Sequence, residues 1–214
     1  MSESTPLPEL TPNLEFREPA SRPRLERAQA ALGKVNIETE IVSNREAARD
    51  RVLELVPGGS EVHVGLSETM RELGVTAAIE ESGRYNAIRS LLKKLDRATQ
   101  RREIAKLVTA PDYMLGSVHA VTEGGELVIG SGTGSQLAAY ANGAGHVILV
   151  AGAQKVVADL EMGLRRLREY SYPLEDARMK AAGHAGTILA KTLIISFDSP
   201  GRSRLILLEE PLGF

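Results

Sequence analysis

The stretch that decides the fold is Glu126–Gly152, with the sequence ELVIGSGTGSQLAAYANGAGHVILVAG. Its apolar runs at Glu126–Ile129 and His146–Val150 predict a short strand and a second, buried strand. Between these runs lie a turn rich in glycine, serine and threonine, Gly130–Ser135, and a small-residue helix, Gln136–Asn142. The order strand, turn, helix, strand predicts a βαβ unit.

The turn of this unit has residue types that favour a ligand. Glycines allow a ligand to approach the backbone closely, and the residues around Thr133 supply hydroxyl groups. The helix that follows begins with unpaired N–H groups, which favour an anion. A plain strand-to-helix turn capped by Ser135 would have the same composition, so both readings stay open. Ser135 also stands where the dinucleotide fingerprint needs its third glycine, which argues against a nicotinamide cofactor.

Composition bounds the class of protein. The chain has 214 residues, enough for one sizeable α/β domain, with 43% hydrophobic and 25% charged residues. A net charge of −2 and only 4% aromatic residues argue against nucleic acid or an anionic membrane as partner. Cysteine is absent, which excludes disulfides, thiolate catalysis and cysteine-ligated clusters within the chain. No apolar run is long enough to cross a bilayer, so a cytoplasmic location is expected.

The chain divides into a tail and a single domain. Residues 1–22 contain four prolines among polar residues and are predicted to be a flexible tail. Residues 23–214 alternate predicted strands and helices, which favours a mostly parallel sheet covered on both faces. Two late apolar runs, Thr192–Phe197 and Arg204–Leu208, surround a turn and predict a terminal antiparallel hairpin.

A second hydroxyl-rich turn follows the predicted strand Glu61–Gly65, with Ser67 and Thr69 at the start of a short helix. Because ligands in open α/β sheets bind at the carboxyl ends of strands, this turn and the Gly130–Ser135 turn are expected to face one cleft. Val75–Glu80 is predicted to be another strand. Gln154–Tyr170 is predicted to be a helix, with Arg165, Arg166 and Arg168 on its outer side.

Several motifs together resemble one family, the LUD-domain proteins typified by lactate-utilisation protein C. They are SETMRELG (Ser67–Gly74), AVTEGGELV (Ala120–Val128), the run Ser131–Glu161, YPLEDAR (Tyr172–Arg178) and the ending PGRSRLILLEEPLGF (Pro200–Phe214). The resemblance implies a three-layer α/β/α fold similar to the sugar-phosphate isomerase and CoA-transferase superfamily. There the ligand phosphate or carboxylate sits on glycine, serine and threonine turns after strands.

The resemblance therefore implies a set of ligand-binding residues and also shows two departures from the family. The implied ligand-binding residues are Ser67, Thr69, Thr133 and Gly134, and Gly132 of the same turn is a further candidate. Ser135 and Gln136 replace the asparagine and arginine that are usual in the family after Gly-Thr-Gly. Residues 181–200 lack the cysteine cluster that many similar proteins have, which removes any inference of a cluster or metal.

The first hypothesis for function is an accessory protein or subunit of lactate and organic-acid utilisation. It would bind a small anionic metabolite, with Lys155 neutralising the charge, and act with iron–sulfur partner proteins in the oxidation of lactate to pyruvate. The cofactor is unknown, and homo-oligomerisation stays open. The four histidines are scattered without metal-ligand spacing, so no metal is expected.

Two alternatives stay open. One is a stand-alone enzyme of the sugar-phosphate isomerase or CoA-transferase type, in which Glu123 or Glu72 would be the catalytic base or nucleophile and His119 an acid or base. As isolated residues, exposed glutamates and single histidines are more often structural. The other alternative is a regulatory or scaffold protein without enzymatic activity.

Overall fold

The computed structural model describes residues 10–96 and 98–214, in which strands and helices alternate. The strands of this part are β1 (Ile37–Val42), β2 (Glu61–Val64), β3 (Asn86–Ala87), β4 (Tyr113–Ser117), β5 (Ala120–Thr122), β6 (Leu127–Ser131), β7 (His146–Gly152), β8 (Val156–Val157), β9 (Lys191–Ile195) and β10 (Ser203–Leu208). The helices are α1 (Arg22–Lys34), α2 (Arg45–Leu55), α3 (Glu68–Glu72), α4 (Val75–Glu81), α5 (Ile88–Leu92), α6 (Arg101–Thr109), α7 (Leu160–Arg166) and α8 (Tyr172–Ala181). Ala139–Gly143 and Leu167–Ser171 are π-helical, and Leu14–Arg17 and Ala153–Lys155 are 3-10 turns.

The centre of the molecule is a six-stranded sheet with the order β1-β10-β7-β4-β2-β3. Each neighbouring pair of strands is parallel. The middle strands β7 and β10 are almost continuously apolar and buried, as expected for a parallel sheet with both faces covered. Their carboxyl ends therefore lie at one edge of the sheet, where the connecting turns gather.

Each face of this sheet has its own hydrophobic core. On one face, Leu149 and its neighbours pack against α1 and the second sheet. On the other face, Ile148 and its neighbours pack against α2, α3 and α4. Adjacent residues of β7 thus point into different cores, which is the period-two alternation of a strand. The α/β class with a mostly parallel sheet is confirmed.

A smaller, second sheet has the order β8-β5-β6-β9. β5 and β6 form an antiparallel hairpin around the turn Glu123–Gly125. β9 adds antiparallel to β6, and β8 adds parallel to β5. This sheet packs its apolar side chains on the same core as α1.

The predicted terminal hairpin is wrong, because its two runs belong to different sheets. β9 pairs with β6, whereas β10 lies between β1 and β7 in the parallel sheet. The predicted βαβ unit fails for the same reason, since β6 and β7 are also in different sheets. Local pattern identified these strands but carries no information about their partners, which long-range packing decides.

One strand prediction and one helix prediction also need correction. Val75–Glu80 lies in α4, where Val75 and Ile79 are buried at helical spacing and two alanines between them favour a helix. The helix predicted from Gln154 begins only at Leu160, because Val156 and Val157 pair with β5. The side chain of Asp159 accepts a hydrogen bond from the Met162 N–H at 2.9 Å and caps α7.

The predicted tail is partly docked on the domain. Residues 1–9 lie outside the described residues. Beyond them, Phe16 is buried, and the Asn13 N–H donates to the Glu169 carbonyl at 2.8 Å. The Asn13 side chain reaches the Glu169 carboxylate at 3.1 Å. Residues 13–17 therefore contact the domain in this structure, and the flexible tail stays a prediction.

Candidate functional site

Three turns of the parallel sheet meet at its carboxyl edge. Thr69 follows β2, Ser117 is the last residue of β4, and Lys155 ends the 3-10 turn after β7. The Lys155 Nζ donates to Thr69 Oγ1 at 3.0 Å and to Ser117 Oγ at 2.9 Å. These three residues are termed the Lys155 cluster. They lie where ligands bind in open α/β sheets.

Lys155 is 1% exposed, so its ammonium is almost fully removed from water. Burial lowers the pKa of Lys155 well below its usual range, and the charge of Arg166 lowers it further. The negative charge of Glu72 acts in the opposite direction and raises this pKa. Among the described residues, no carboxylate forms an ion pair with Lys155. Its hydrogen-bond partners in this part of the chain are two neutral hydroxyls.

Ser117 is fixed from two sides. Its hydroxyl donates to the Val150 carbonyl on β7 at 2.6 Å and therefore presents a lone pair to Lys155. The buried Tyr140 phenol lies against Gly116, and the Ser117 N–H donates to it. A Cβ on residue 116 would overlap the phenolic oxygen, so only glycine fits there. Tyr140 belongs to the π-helical turn Ala139–Gly143, so this turn packs against the strand that contains Ser117.

The predicted residues of the turn after β2 have different roles. Thr69 is 1% exposed and contacts Lys155 directly. The side chain of Ser67 accepts from the Met70 N–H at 3.4 Å and is the N-cap of α3. Thr69 therefore belongs to the cluster, whereas Ser67 has the capping role.

Arg166 is a second buried cation beside this cluster. Its Nε donates to the Gln154 carbonyl at 3.0 Å, and its Nη1 donates to the His119 carbonyl and to Ser171 Oγ. Its Nη2 is buried without a hydrogen-bond partner among the described residues. Burial lowers the pKa of Arg166 to about 10, so it stays protonated at neutral pH.

His119 connects Arg166 with the Gly130–Ser135 turn. The Gly130 N–H donates to His119 Nδ1 at 3.0 Å, so Nδ1 has no proton and the neutral ring has its proton on Nε2. Burial lowers the pKa of His119 to about 3, with the charges of Lys155 and Arg166 adding to the effect. His119 is therefore uncharged at neutral pH.

The Gly130–Ser135 turn packs on the segment before β9. Gly132 lies against the Ile188 carbonyl, and Gly134 has a φ of 83° and lies against the Lys191 side chain. Thr133 is exposed, and its Oγ1 accepts from the Ser135 N–H at 3.3 Å. Its hydroxyl thus contacts its own turn rather than Lys155.

The two hydroxyl-rich turns lie on either side of α8. Glu175 of this helix lines a small pocket beside Gly132, and Arg178 one turn later lies 3.5 Å from Glu68, next to the turn after β2. Among the described hydrogen bonds, none joins Thr133 to the Lys155 cluster. The shared cleft stays a prediction.

The two predicted catalytic glutamates have arginine partners. Glu123 lies 2.6 Å from Arg24 and 2.5 Å from Arg27 of α1. Burial opposes ionisation of Glu123, but the hydrogen bonds from these arginines outweigh it and lower the pKa. Glu72 lies 3.4 Å from Arg45 and is close enough to Lys155 to raise the lysine pKa. Of the two, Glu72 is the one whose charge acts on the pKa of Lys155.

Sequence reasoning missed Ser117 and misplaced Arg166. The inner side of α7 and the π-helical turn after it includes Gly163, Arg166 and Tyr170 together with Leu167. Gly163 lies against Val128 and lets the helix approach the second sheet closely. Gly163, three residues before Arg166, was the signal in the sequence that could have indicated the buried face of this helix. No pattern in the sequence singles out Ser117.

A larger cavity lies away from these residues. Its volume is about 480 Å³, and residues of α2 and α4 such as Leu53 and Ala78 line it together with Tyr85. In the described part of the chain, no group of three or more histidine, cysteine or acidic side chains is placed to hold a metal ion. No helix of this part is both long and apolar enough to cross a membrane.

Known proteins similar to this chain identify its family and its fold. A family model described as the LUD domain matches residues 25–207. No curated protein matches the chain. A similar solved structure is the crystal structure of a DUF162 family protein from Deinococcus radiodurans, with a TM-score of 0.50 and 12% sequence identity. The match covers 89% of this chain and 99% of that chain, and at this identity it speaks for the fold alone.

Proposed function

Because the chain belongs to the LUD-domain family, we propose that it binds a small organic anion at the Lys155 cluster and serves in lactate and organic-acid utilisation. The expected ligands are lactate and pyruvate. In this proposal, iron–sulfur partner proteins carry the electrons of lactate oxidation, because the chain has no cysteine with which to ligate such a cluster.

The observation that supports the proposal is the pairing of two buried cations without a counter-charge. The charge of Arg166 lowers the pKa of Lys155, and in the described residues only neutral groups accept the hydrogen bonds of these two side chains. Burying an ammonium without an anion costs free energy. A bound carboxylate would supply the missing charge and raise the pKa of Lys155 again.

The hydrogen bonds of Lys155 also leave room for a ligand. A protonated lysine has three N–H donors, and Thr69 and Ser117 accept two of them. The third proton is the one that would donate to a carboxylate oxygen. The hydroxyls thus fix the direction of the ammonium, and its charge provides the attraction.

The first test is thermal unfolding of the purified protein with L-lactate, pyruvate, phosphate, ribose 5-phosphate or acetyl-CoA. A ligand that binds only the folded state at one hundred times its dissociation constant adds about 2.7 kcal/mol, or a rise of roughly 5–10 °C in Tm for a chain of this size. We expect lactate or pyruvate to produce this rise. The variant Lys155→Met should abolish it, whereas the exposed control Lys106→Met should keep it.

The same test addresses the enzyme alternative. This alternative is favoured because Glu72 is close enough to Lys155 to affect its pKa. A carboxylate and an amine of lowered pKa can act as base and acid. A rise with ribose 5-phosphate or acetyl-CoA alone, lost in Glu72→Gln, would replace the lactate proposal with this alternative. If no compound raises the Tm of the wild type or of Lys106→Met, ligand binding at the cluster is refuted.

The metabolic part of the proposal has its own test. Deletion of the gene should slow growth on lactate, and a tagged chain should co-purify with iron–sulfur proteins from lactate-grown cells. Unchanged growth on lactate would contradict the metabolic role, whatever the purified protein binds.

A further inference from the structure

A small pocket lies between the Gly130–Ser135 turn and the start of α8, and no residue of the Lys155 cluster lines it. Its volume is about 50 Å³. The residues that define it, termed the His119 pocket, are His119, Gly130, Gly132, Ser171, Tyr172 and Ile188. One water needs roughly 10–15 Å³ of such space, so the pocket has room for about three to five water-sized groups.

The His119 ring presents a hydrogen-bond donor to this pocket. A backbone N–H can only donate, and the Gly130 N–H is bonded to Nδ1, so the neutral ring must have its proton on Nε2. Nε2 has no hydrogen-bond partner in the described part of the chain. Because the ring lines the pocket, this N–H is the polar group that it offers to a ligand.

The guanidinium of Arg166 lies behind the same wall. Its Nη1 donates to Ser171 Oγ at 3.1 Å and to the His119 carbonyl, and both residues line the pocket. Because Ser171 Oγ accepts from Arg166, its own proton is available to a ligand. The Arg166 side chain is fully buried, and its Nη2 has no partner among the described residues.

The one carboxylate that lines the pocket is already neutralised. Both oxygens of Glu175 accept from Arg178, each at 2.7 Å. The Tyr172 hydroxyl is also occupied, because it donates to the Thr187 carbonyl. What remains for a ligand is therefore a pair of hydrogen-bond donors beside a buried positive charge, which is the arrangement that binds a carboxylate.

We propose that the His119 pocket is a second binding site, and that it takes the carboxylate of a short organic acid. One oxygen accepts from His119 Nε2–H and the other from the Ser171 hydroxyl, while Arg166 supplies the charge. A carboxylate with one or two further carbons fills the volume, whereas a sugar phosphate does not fit. The site goes beyond the proposed function, which concerns Lys155.

The test is a titration with acetate, followed by NMR through the His119 Nε2–H and the amides of Gly130 and Gly132. We expect saturable shifts of these signals. The variant His119→Asn keeps an acceptor for the Gly130 N–H at the depth of Nδ1 but has no group at Nε2. Its affinity for acetate should fall at least ten-fold, and the exposed control His184→Asn should match the wild type.

Ser171→Ala provides a second variant if His119→Asn does not fold, with an expected loss of about five-fold in affinity. Absence of saturable shifts in the wild type would overturn the inference. Binding that persists in His119→Asn and Ser171→Ala but disappears in Lys155→Met would also overturn it, while leaving the proposed function intact. Binding that persists in Lys155→Met and is lost in His119→Asn would support the second site independently of the first.

Discussion

The turn after β2 and the turn after β6 have the same types of residue, yet their surroundings differ. In the first, Thr69 is buried and accepts a hydrogen bond from Lys155. In the second, Thr133 is exposed and contacts Ser135 of its own turn. The first strand belongs to the parallel sheet, whereas the second belongs to an antiparallel hairpin.

This difference shows what decides the role of a hydroxyl-rich turn. Carboxyl ends of parallel strands lie at one edge, so the turns after β2, β4 and β7 bring their side chains together. β6 has no parallel neighbour in its sheet, and the turn after it packs on the segment before β9. The backbone of that turn, rather than its hydroxyls, faces His119.

The largest effect on stability is expected at Gly116, which precedes Ser117 of the Lys155 cluster. In Gly116→Ala the new methyl group would overlap the buried Tyr140 phenol, which lies against the cluster. Overpacking of this kind costs about 3 kcal/mol of the free energy of unfolding and displaces Ser117. Urea denaturation measures the loss.

Tyr140→Phe provides the rescue, because it removes the oxygen that the new methyl group meets. The double variant should be more stable than Gly116→Ala alone, although Tyr140→Phe by itself is expected to be destabilising through loss of the hydrogen bond from Ser117. A double variant no more stable than Gly116→Ala would show that the phenol does not set the position of the strand.

An intermediate effect on stability is expected when the pH is lowered. It acts on His119, whose ring accepts a hydrogen bond from the turn after β6. The pKa of His119 is lowered to about 3 in the folded protein and is about 6.5 in the unfolded chain. The unfolded state therefore binds more protons below pH 6.5, and stability falls as the pH decreases. Between pH 7 and pH 5 this residue accounts for about 2 kcal/mol.

The variant His119→Asn does not titrate and should lose about 2 kcal/mol less than the wild type over this interval. The control is His184→Asn. Because this side chain is exposed, the variant should have the same change of unfolding free energy with pH as the wild type. The free energy of unfolding from denaturant titrations at each pH gives both slopes. Equal slopes for wild type and His119→Asn would mean that His119 is not held neutral.

How far the sequence predicts the molecule depends on the range of the interactions. Apolar runs identified β2, β6, β7 and β10 because a strand's pattern is local. Which sheet each strand joins was not predictable, since packing between distant residues decides it. The terminal hairpin failed for this reason, because β9 and β10 are close in sequence and pair with strands from different sheets.

The candidate site shows the same limit. Thr69 and Lys155 could be selected because hydroxyls and a lysine after strands are typical of an anion site. Ser117 has an ordinary local sequence, and only the neighbouring strand gives it a role. Arg166 was expected outside, because an arginine on a helix usually faces water, whereas here its hydrogen-bond acceptors lie on Gln154, His119 and Ser171.

The smallest and most direct comparison is between Thr69→Ala and Thr133→Ala. The first removes a buried acceptor of Lys155 and should cost about 1–2 kcal/mol, whereas the second changes an exposed hydroxyl and should stay within about 0.5 kcal/mol. Thr69→Ser keeps the hydroxyl and should recover part of the loss. Chemical denaturation of all three variants measures these differences. Equal costs at the two positions would mean that the two turns are equivalent after all, and the distinction drawn from their sheets would then be wrong.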